Sequence, residues 1–147
     1  MKKKARRSPV REAPSLGSRV SSASIERHHE RVRRVCMSMP GASEKVSHGE
    51  PTFFVSKRVF AMMSTDHHGD GRLAVVIPLA EGVQEELLAA EPAKYFNPPY
   101  VGVRGWIGIH LARVSDAELR RHLCDAWRLI ASAKLVREFD DRHSRVS

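Results

Sequence analysis

Apolar residues recur at the spacing of one helix face in three parts of the chain. In the first part, Ser24 is the predicted N-cap and Pro40 ends the helix. The apolar positions of this helix are Ile25, Val32, Val35, Cys36 and Met39. The same spacing predicts a second helix over 79–90 and a third over 116–135, the latter preceded by a Ser-x-x-Glu capping box.

Short segments between these helices are rich in β-branched and aromatic residues, which favour strands. Strands are predicted at 52–55, 58–64, 72–77 and 106–111, with a further short strand near 100–103. The polar segment 42–50 is predicted to be a loop. Connections of hairpin length make the first three strands antiparallel. The order predicts a two-layer α+β domain, α-β(3)-α-β(2)-α, with an antiparallel sheet packed against helices.

The two ends of the chain are predicted to lie outside this domain. Residues 1–24 contain Pro, Gly and six serines but few large apolar side chains, so they cannot offset the entropy of ordering. We therefore predict a disordered arm over 1–24, a domain over 25–135 and a frayed tail over 136–147.

The positive charge is concentrated in the arm. Net charge is +8, and the arm holds seven of the 25 Lys and Arg residues but one of the 17 acids. The remaining chain is therefore close to neutral, so net charge does not make it a basic nucleic-acid-binding domain. Nonspecific phosphate contacts are predicted for Lys2, Lys3, Lys4, Arg6 and Arg7.

The cysteines and the lengths of the apolar runs indicate the cellular compartment of the protein. Cys36 and Cys124 lie in apolar helical patterns and are interpreted as reduced, buried thiols, with a disulfide between them as the less favoured alternative. No apolar run approaches the roughly 20 residues that cross a bilayer. The basic N-terminus is not followed by an apolar stretch, unlike a secretory signal. A cytoplasmic protein without membrane contact is expected.

Three groups of residues offer catalytic or metal-binding chemistry, each with a simpler structural explanation. One loop combines metal-ligand types that a hairpin turn also favours: Asp66, His67, His68 and Asp70. Either cysteine could act as a nucleophile beside His28, His29 or His122, but both occupy core positions. Glu44 and Glu50 flank His48 and could serve acid–base chemistry or a loop. No catalytic residue, metal or cofactor is predicted, and the protein is expected not to be an enzyme.

The first helix also carries a basic face. It consists of Arg27, Arg31, Arg33 and Arg34. A solvated face paired with Glu26 and Glu30 is the favoured interpretation, because oppositely charged residues at helical spacing stabilise a helix. Contact with phosphates is the alternative.

Two segments carry more specific patterns. One runs from Met39-Pro-Gly through Glu44 and Gly49-Glu-Pro-Thr-Phe53 into Arg58-Val-Phe-Ala61. The other is Pro99-Tyr-Val-Gly-Val-Arg-Gly-Trp106. Together they resemble the MmcQ/YjbR family over about residues 25–135. In the second segment, Tyr100 and Trp106 are predicted to pack the loop onto the sheet.

This resemblance implies an α-β(3)-α-β(2)-α domain whose general shape is shared with secretion chaperones. It also implies DNA binding through a pair of β-wings, and it brings no established catalytic residues. The sequence departs from the family at His48, where an aromatic residue is usual.

The lead hypothesis is a non-enzymatic DNA-binding protein that acts as a monomer or weak homodimer. Its predicted DNA contacts are Lys57, Arg58, Arg72 and Arg104. The alternative is a chaperone-like module that binds a protein or a small ligand. Its predicted groove is formed by His48, Tyr100 and Trp106.

Overall fold

A computed structural model describes residues 20–65 and 71–146 of the chain. The helices of this part are α1 (Ser22–Cys36), α2 (Val83–Ala90), α3 (Asp116–Ile130) and α4 (Ala133–Val146). The strands are β1 (Ser43–Ser47), β2 (Glu50–Val55), β3 (Arg58–Thr65), β4 (Leu73–Ile77), β5 (Tyr95–Phe96) and β6 (Ile107–His110). Single 3-10 turns occupy Val101–Arg104 and Leu111–Arg113.

The strands form a single antiparallel sheet in the order β1-β2-β3-β4-β6-β5. This confirms the predicted α+β fold with an antiparallel sheet. The prediction of a loop over 42–50 is wrong, because this segment contains β1, which pairs with β2 from Ser43↔Phe54 to Ser47↔Glu50. Its side chains are largely polar because it is an edge strand, so the hydrophobic pattern does not reveal it.

Alternate side chains of the strands enter one core with α1 and α3. Phe53 and Ala61 are paired across β2 and β3, and both are fully buried. Val75 and Ile109 are paired across β4 and β6 in the same core. Trp127 of α3 is fully buried among them and donates its Nε1 proton to the carbonyl of Pro40 at 3.0 Å. The helices therefore cover one face of the sheet.

Arg31 joins α1 to the segment that leads into α3. Its guanidinium donates to the carbonyl of Leu111 at 2.7 Å and to that of Val114 at 2.9 Å. It also pairs with Asp116 at 2.7 Å. A fourth contact joins it to Nδ1 of His28 at 3.0 Å. Because a guanidinium can only donate, this ring nitrogen is an acceptor and the imidazole is neutral. Burial, followed by the charge of Arg31, lowers the pKa of His28.

The structure changes both domain boundaries. The first helix begins at Ser22 with Ser21 as its N-cap, rather than at Ser24. The rest of the predicted arm, 1–19, lies outside the described residues. The predicted frayed tail is instead α4 as far as Val146. Phe139 of this helix packs on Trp127 with ring centroids 5.2 Å apart, and this apolar contact holds the helix on the domain.

Smaller differences concern the other elements. The predicted helix over 116–135 is two helices, because the chain turns at Ala131. The second helix begins at Val83, behind Gly82 in the left-handed conformation. Residues 101–104 are a 3-10 turn rather than a strand, and the short β5 was not predicted. Both cysteines are free thiols.

Candidate nucleic-acid interface at one end of the sheet

Strand direction brings several chain segments to the same end of the sheet. β2 ends at Val55 and β3 begins at Arg58, so their turn lies at this end. Since all neighbours are antiparallel, the start of β6 at Ile107 lies there too. The β2–β3 hairpin continues beyond the last β3–β4 pair, Met62↔Val76. Its turn therefore projects from the sheet. We call this region the basic end and define it by Lys45, Lys57, Arg58 and Arg104.

The turn of the projecting hairpin is strained. Ser56 and Lys57 have φ of 52° and 66°, in the left-handed region. A two-residue hairpin turn with two positive φ values is of type I′, which favours Asn-Gly. A residue with a Cβ costs about 1–2 kcal/mol in this conformation. The chain accepts this cost at a position where Lys57 and the following Arg58 are both exposed.

A groove of about 390 Å³ lies beside this turn. It is lined by Gly41, Ser43, Lys45, Phe54, Val55, Ser56 and Lys57. The ammonium group of Lys45 lies 5.0 Å from the centre of the Phe54 ring. The groove thus combines two ammonium groups, two hydroxyl groups and one aromatic ring. Ammonium and hydroxyl donors are the groups that bind phosphate oxygens.

A second projection at the same end is the loop between β5 and β6. At its tip, Tyr100 has φ 66° and ψ −63°, and the amide of Val101 donates to the carbonyl of Pro99 at 2.7 Å. This is the γ-turn with positive φ, the rare and strained form. The side chain of Tyr100 is 89% exposed and that of Val103 is 93% exposed. We call Tyr100 and Val103 the tip.

Packing beneath the tip holds the loop in one conformation. The side-chain amide of Gln84 in α2 donates to the carbonyls of Gly102 and Trp106, at 2.9 and 2.6 Å. A Cβ at position 102 would lie 1.8 Å from Oδ1 of Asn97, so a larger residue there would displace the Asn97 side chain. Trp106 is 9% exposed, and the guanidinium of Arg104 lies 5.6 Å from the centre of a Trp106 ring. Trp106 therefore anchors the loop, whereas the prediction that Tyr100 packs on the sheet is wrong.

The predicted DNA contacts divide between the two ends of the sheet. Lys57, Arg58 and Arg104 lie at the basic end. Arg72 precedes β4 at the opposite end, where its guanidinium lies 4.0 Å from the centre of the Phe96 ring. Antiparallel geometry therefore separates Arg72 from the other three. The five predicted arm contacts, from Lys2 to Arg7, lie outside the described residues.

The predicted groove of His48, Tyr100 and Trp106 is not assembled. His48 lies in the turn between β1 and β2, at the opposite end and the opposite edge of the sheet from the loop of Tyr100. Its φ of 54° and that of Gly49, 79°, form another hairpin turn with positive φ. The replacement of the family's aromatic residue by His48 therefore concerns a turn far from the tip.

Two of the four arginines on the basic face of α1 form ion pairs within the protein. Arg31 is bound to the α3 region, and Arg33 makes a two-point contact with Glu44 at 2.8 and 2.9 Å. This contact lowers the pKa of Glu44. Arg27 and Arg34 are exposed. The solvated-face interpretation is correct for these two residues, whereas Arg31 and Arg33 connect elements of the fold.

Each carboxylate and histidine considered for catalysis makes a structural contact within the fold. Glu44 is paired with Arg33, and Glu50 accepts a hydrogen bond from the amide of Thr65 at 3.0 Å. Burial raises the pKa of the Cys36 thiol well above its usual range. The histidines proposed near the cysteines, His28, His29 and His122, contact Arg31, Thr65 and Tyr95 in that order.

The candidate metal loop, Asp66 to Asp70, lies outside the described residues. Within residues 20–65 and 71–146, no group of three or more His, Cys, Asp or Glu side chains is placed to hold a metal ion. In the same part of the chain, no helix has the length and apolarity needed to cross a membrane.

Sequence reasoning missed Ser43, Lys45 and Phe54 as members of the groove. The sequence carries no clear signal for them, because Ser43, Glu44, Lys45 and Ser47 place polar side chains on both faces of β1. It also missed Gln84, because an exposed-looking glutamine in a helix carries no sign that it will bind two carbonyl groups.

Comparison with known proteins adds a family and a fold. The YjbR family model matches residues 37–129, more than half of the chain. No curated protein matches the chain. The Deinococcus radiodurans protein DR2400, which has a DUF419 domain, has a similar structure with a TM-score of 0.59 and 19% identity. The match covers 69% of this chain and 76% of that protein. The matched residues include both motifs and the loop that carries Tyr100, and the chain belongs to the YjbR family.

Proposed function

We propose that the protein is a non-enzymatic DNA-binding protein and that the basic end of its sheet contacts the phosphates. The observation that carries this proposal is the groove in which Lys45 and Lys57 lie beside Phe54, next to a strained hairpin turn that projects from the sheet. Strained backbone at a surface turn is often retained where the turn has a function.

Two cations of this region are exposed and available to a ligand, as Arg27 and Arg34 on α1 also are. Lys57 and Arg58 form no ion pair within residues 20–65 and 71–146, whereas Arg33, Lys94 and Arg128 are each paired with a carboxylate. An exposed cation without a carboxylate partner can bind a phosphate without first breaking an ion pair.

The basic surface is bounded on one side by acid. Glu81 follows β4 at the same end of the sheet, and Glu85 and Glu86 are exposed in the first turn of α2. These carboxylates repel phosphates, so the contact is confined to the hairpin and Arg104. We expect binding that is weak at physiological salt and strongly dependent on salt concentration.

The test separates the basic end from the arm in the full-length chain. In one protein, Lys2, Lys3, Lys4, Arg6 and Arg7 are all replaced by Gln. In that arm-neutral background, Lys45, Lys57 and Arg58 are then replaced by Gln, and fluorescence anisotropy measures DNA affinity across a salt series. We expect the slope of log K against log salt to decrease in magnitude by about 2–3, since each phosphate contact contributes about 0.9.

A control removes the same charge from the helical side, through the exposed residues Arg113, Arg121 and Arg137, each replaced by Gln. This variant should retain the slope of the arm-neutral protein. An equal loss in both variants would show that only net charge matters. No binding by the arm-neutral protein at low salt would leave the arm as the source of any affinity and would refute the proposal.

The exposed tip favours a second candidate, a chaperone-like module that binds a protein. Adjacent exposed apolar residues on a rigid loop are typical of interaction surfaces, and Tyr is enriched at binding hot spots. This candidate predicts that a cellular protein remains bound after nuclease treatment and is lost with Val103→Ser.

A further inference from the structure

The side chain of Tyr100 contributes little to the fold. It is 89% exposed, and its backbone is in a conformation that glycine adopts without strain. A glycine at this position would therefore serve the loop at least as well. The aromatic ring and its strained backbone together indicate that the ring itself is the functional feature.

The loop holds the backbone that carries this ring in one conformation. Gln84 fixes the carbonyls on either side of the 3-10 turn, and Gly102 leaves room for Asn97. A preorganised ring loses little conformational entropy when a flat ligand stacks on it. Arg104 lies in the same loop, with its guanidinium 5.6 Å from the centre of a Trp106 ring, and adds a cation to this loop.

The accessibility of the base faces favours a single strand over a duplex. Lys57 and Arg58 lie at the same end of the sheet as the loop of Tyr100. Glu81 and the first turn of α2 place carboxylates at this end as well. The cations of the hairpin and Arg104 can contact the phosphates of one strand. In a duplex, moreover, the faces of the bases are covered by their neighbours and are closed to a protruding ring.

We propose that Tyr100 stacks on an unpaired base, so that this protein binds single-stranded nucleic acid in preference to duplex. This inference rests on the proposed function and specifies its ligand. Stacking on an aromatic ring is tolerant of base identity, so little sequence preference is expected.

The experiment uses the full-length, arm-neutral protein and two fluorescent probes, a short oligothymidylate and a mixed-sequence duplex of the same length. Anisotropy titrations compare Tyr100 with Tyr100→Gly, Tyr100→Phe and Val103→Ala. Tyr100→Gly should weaken binding to the single strand by about 10-fold, the effect of losing one stacked base. Its affinity for the duplex should change by less than about 2-fold, because the duplex offers no base face to the ring.

The controls identify stacking as the cause. Tyr100→Phe keeps the ring and should retain the single-strand affinity, and Val103→Ala should retain it too. The thermal midpoint of Tyr100→Gly should be unchanged or higher, since the strain is relieved, which excludes misfolding as the reason for weaker binding.

Three results would overturn the inference. Unchanged single-strand affinity in Tyr100→Gly would show that the ring does not stack, while charge variants of the hairpin could still weaken binding and so leave the proposed function intact. Equal losses from Tyr100→Gly and Val103→Ala would show that the surface of the tip, rather than stacking by the ring, determines the affinity. Binding of neither probe by the arm-neutral protein would refute the inference together with the proposed function.

Discussion

The junction of α1 with α3 and the basic end of the sheet use positive charge in opposite ways. At the junction, Arg31 binds two backbone carbonyls and Asp116, and it is partly buried. At the basic end, Lys57 and Arg58 are exposed beside a strained turn, with no ion pair in the described part of the chain. The junction therefore stabilises the fold, whereas the basic end costs stability and, under the proposed function, offers its charge to DNA. This division predicts that substitutions will separate stability from binding.

The largest loss of stability is expected from a substitution in the core. Trp127→Ala should lower the free energy of unfolding by about 3–5 kcal/mol, because it removes a fully buried indole and leaves a cavity. Urea denaturation followed by circular dichroism measures the change. Trp127→Phe, which keeps most of the volume, should lose less. A loss below 1 kcal/mol for the alanine variant would contradict the assignment of Trp127 to the core.

Arg31→Met should cost about 2–3 kcal/mol, because it leaves two carbonyl groups without their charged donor. Arg27→Met on the exposed side of the same helix should change stability by less than about 0.5 kcal/mol. Urea titrations of the two variants give the comparison directly. Similar losses in both would mean that the helix, rather than the junction, determines the effect.

The junction should also respond to pH. The pKa of His28 is lowered in the folded protein, chiefly by burial and then by Arg31 and Arg27, while Asp116 opposes the shift. The unfolded chain therefore binds the proton more readily, so stability present above pH 6.5 is lost as the pH falls below that value. Thermal midpoints from pH 8 to pH 5 measure this loss.

His122, whose pKa is also lowered by burial, adds to the same trend. His28→Gln should reduce the slope of stability against pH in this range, and His28→Gln with His122→Gln should reduce it further. A slope that is unchanged in the double variant would assign the pH dependence to other groups.

The smallest predicted effect is a gain in stability rather than a loss. Ser56→Asn with Lys57→Gly gives the β2–β3 turn the residues that type I′ geometry favours, and it should raise stability by about 1 kcal/mol. DNA affinity should fall because one cation is lost. Lys57→Gln removes the same charge without relieving the strain, so it should weaken binding without the gain in stability. On the same samples, urea denaturation measures the change in stability and fluorescence anisotropy measures the change in DNA affinity.

Sequence patterns predicted the elements that bury a regular apolar face. The helices α1 and α3 follow from apolar periodicity, because burial of one face imposes a period on a helix, and the strands β2, β3, β4 and β6 follow from their β-branched and aromatic residues. The capping box of Ser115 and Glu118 is present as predicted. β1 escaped prediction because an edge strand with polar side chains has no such period, and β5 because it has only two residues.

The sequence by itself determined the α+β class, the family motifs and the concentration of charge in the N-terminal 24 residues, since each is a property of residue order. Only the tertiary structure decided which charged residues meet. Strand direction separated Arg72 and His48 from the basic end, and packing of α1 on α3 made Arg31 a structural residue. The structure also decided that Trp106 is buried while Tyr100, six residues away, projects into solvent. Such differences depend on contacts between segments that are distant in sequence, and a local pattern of residue types does not record them.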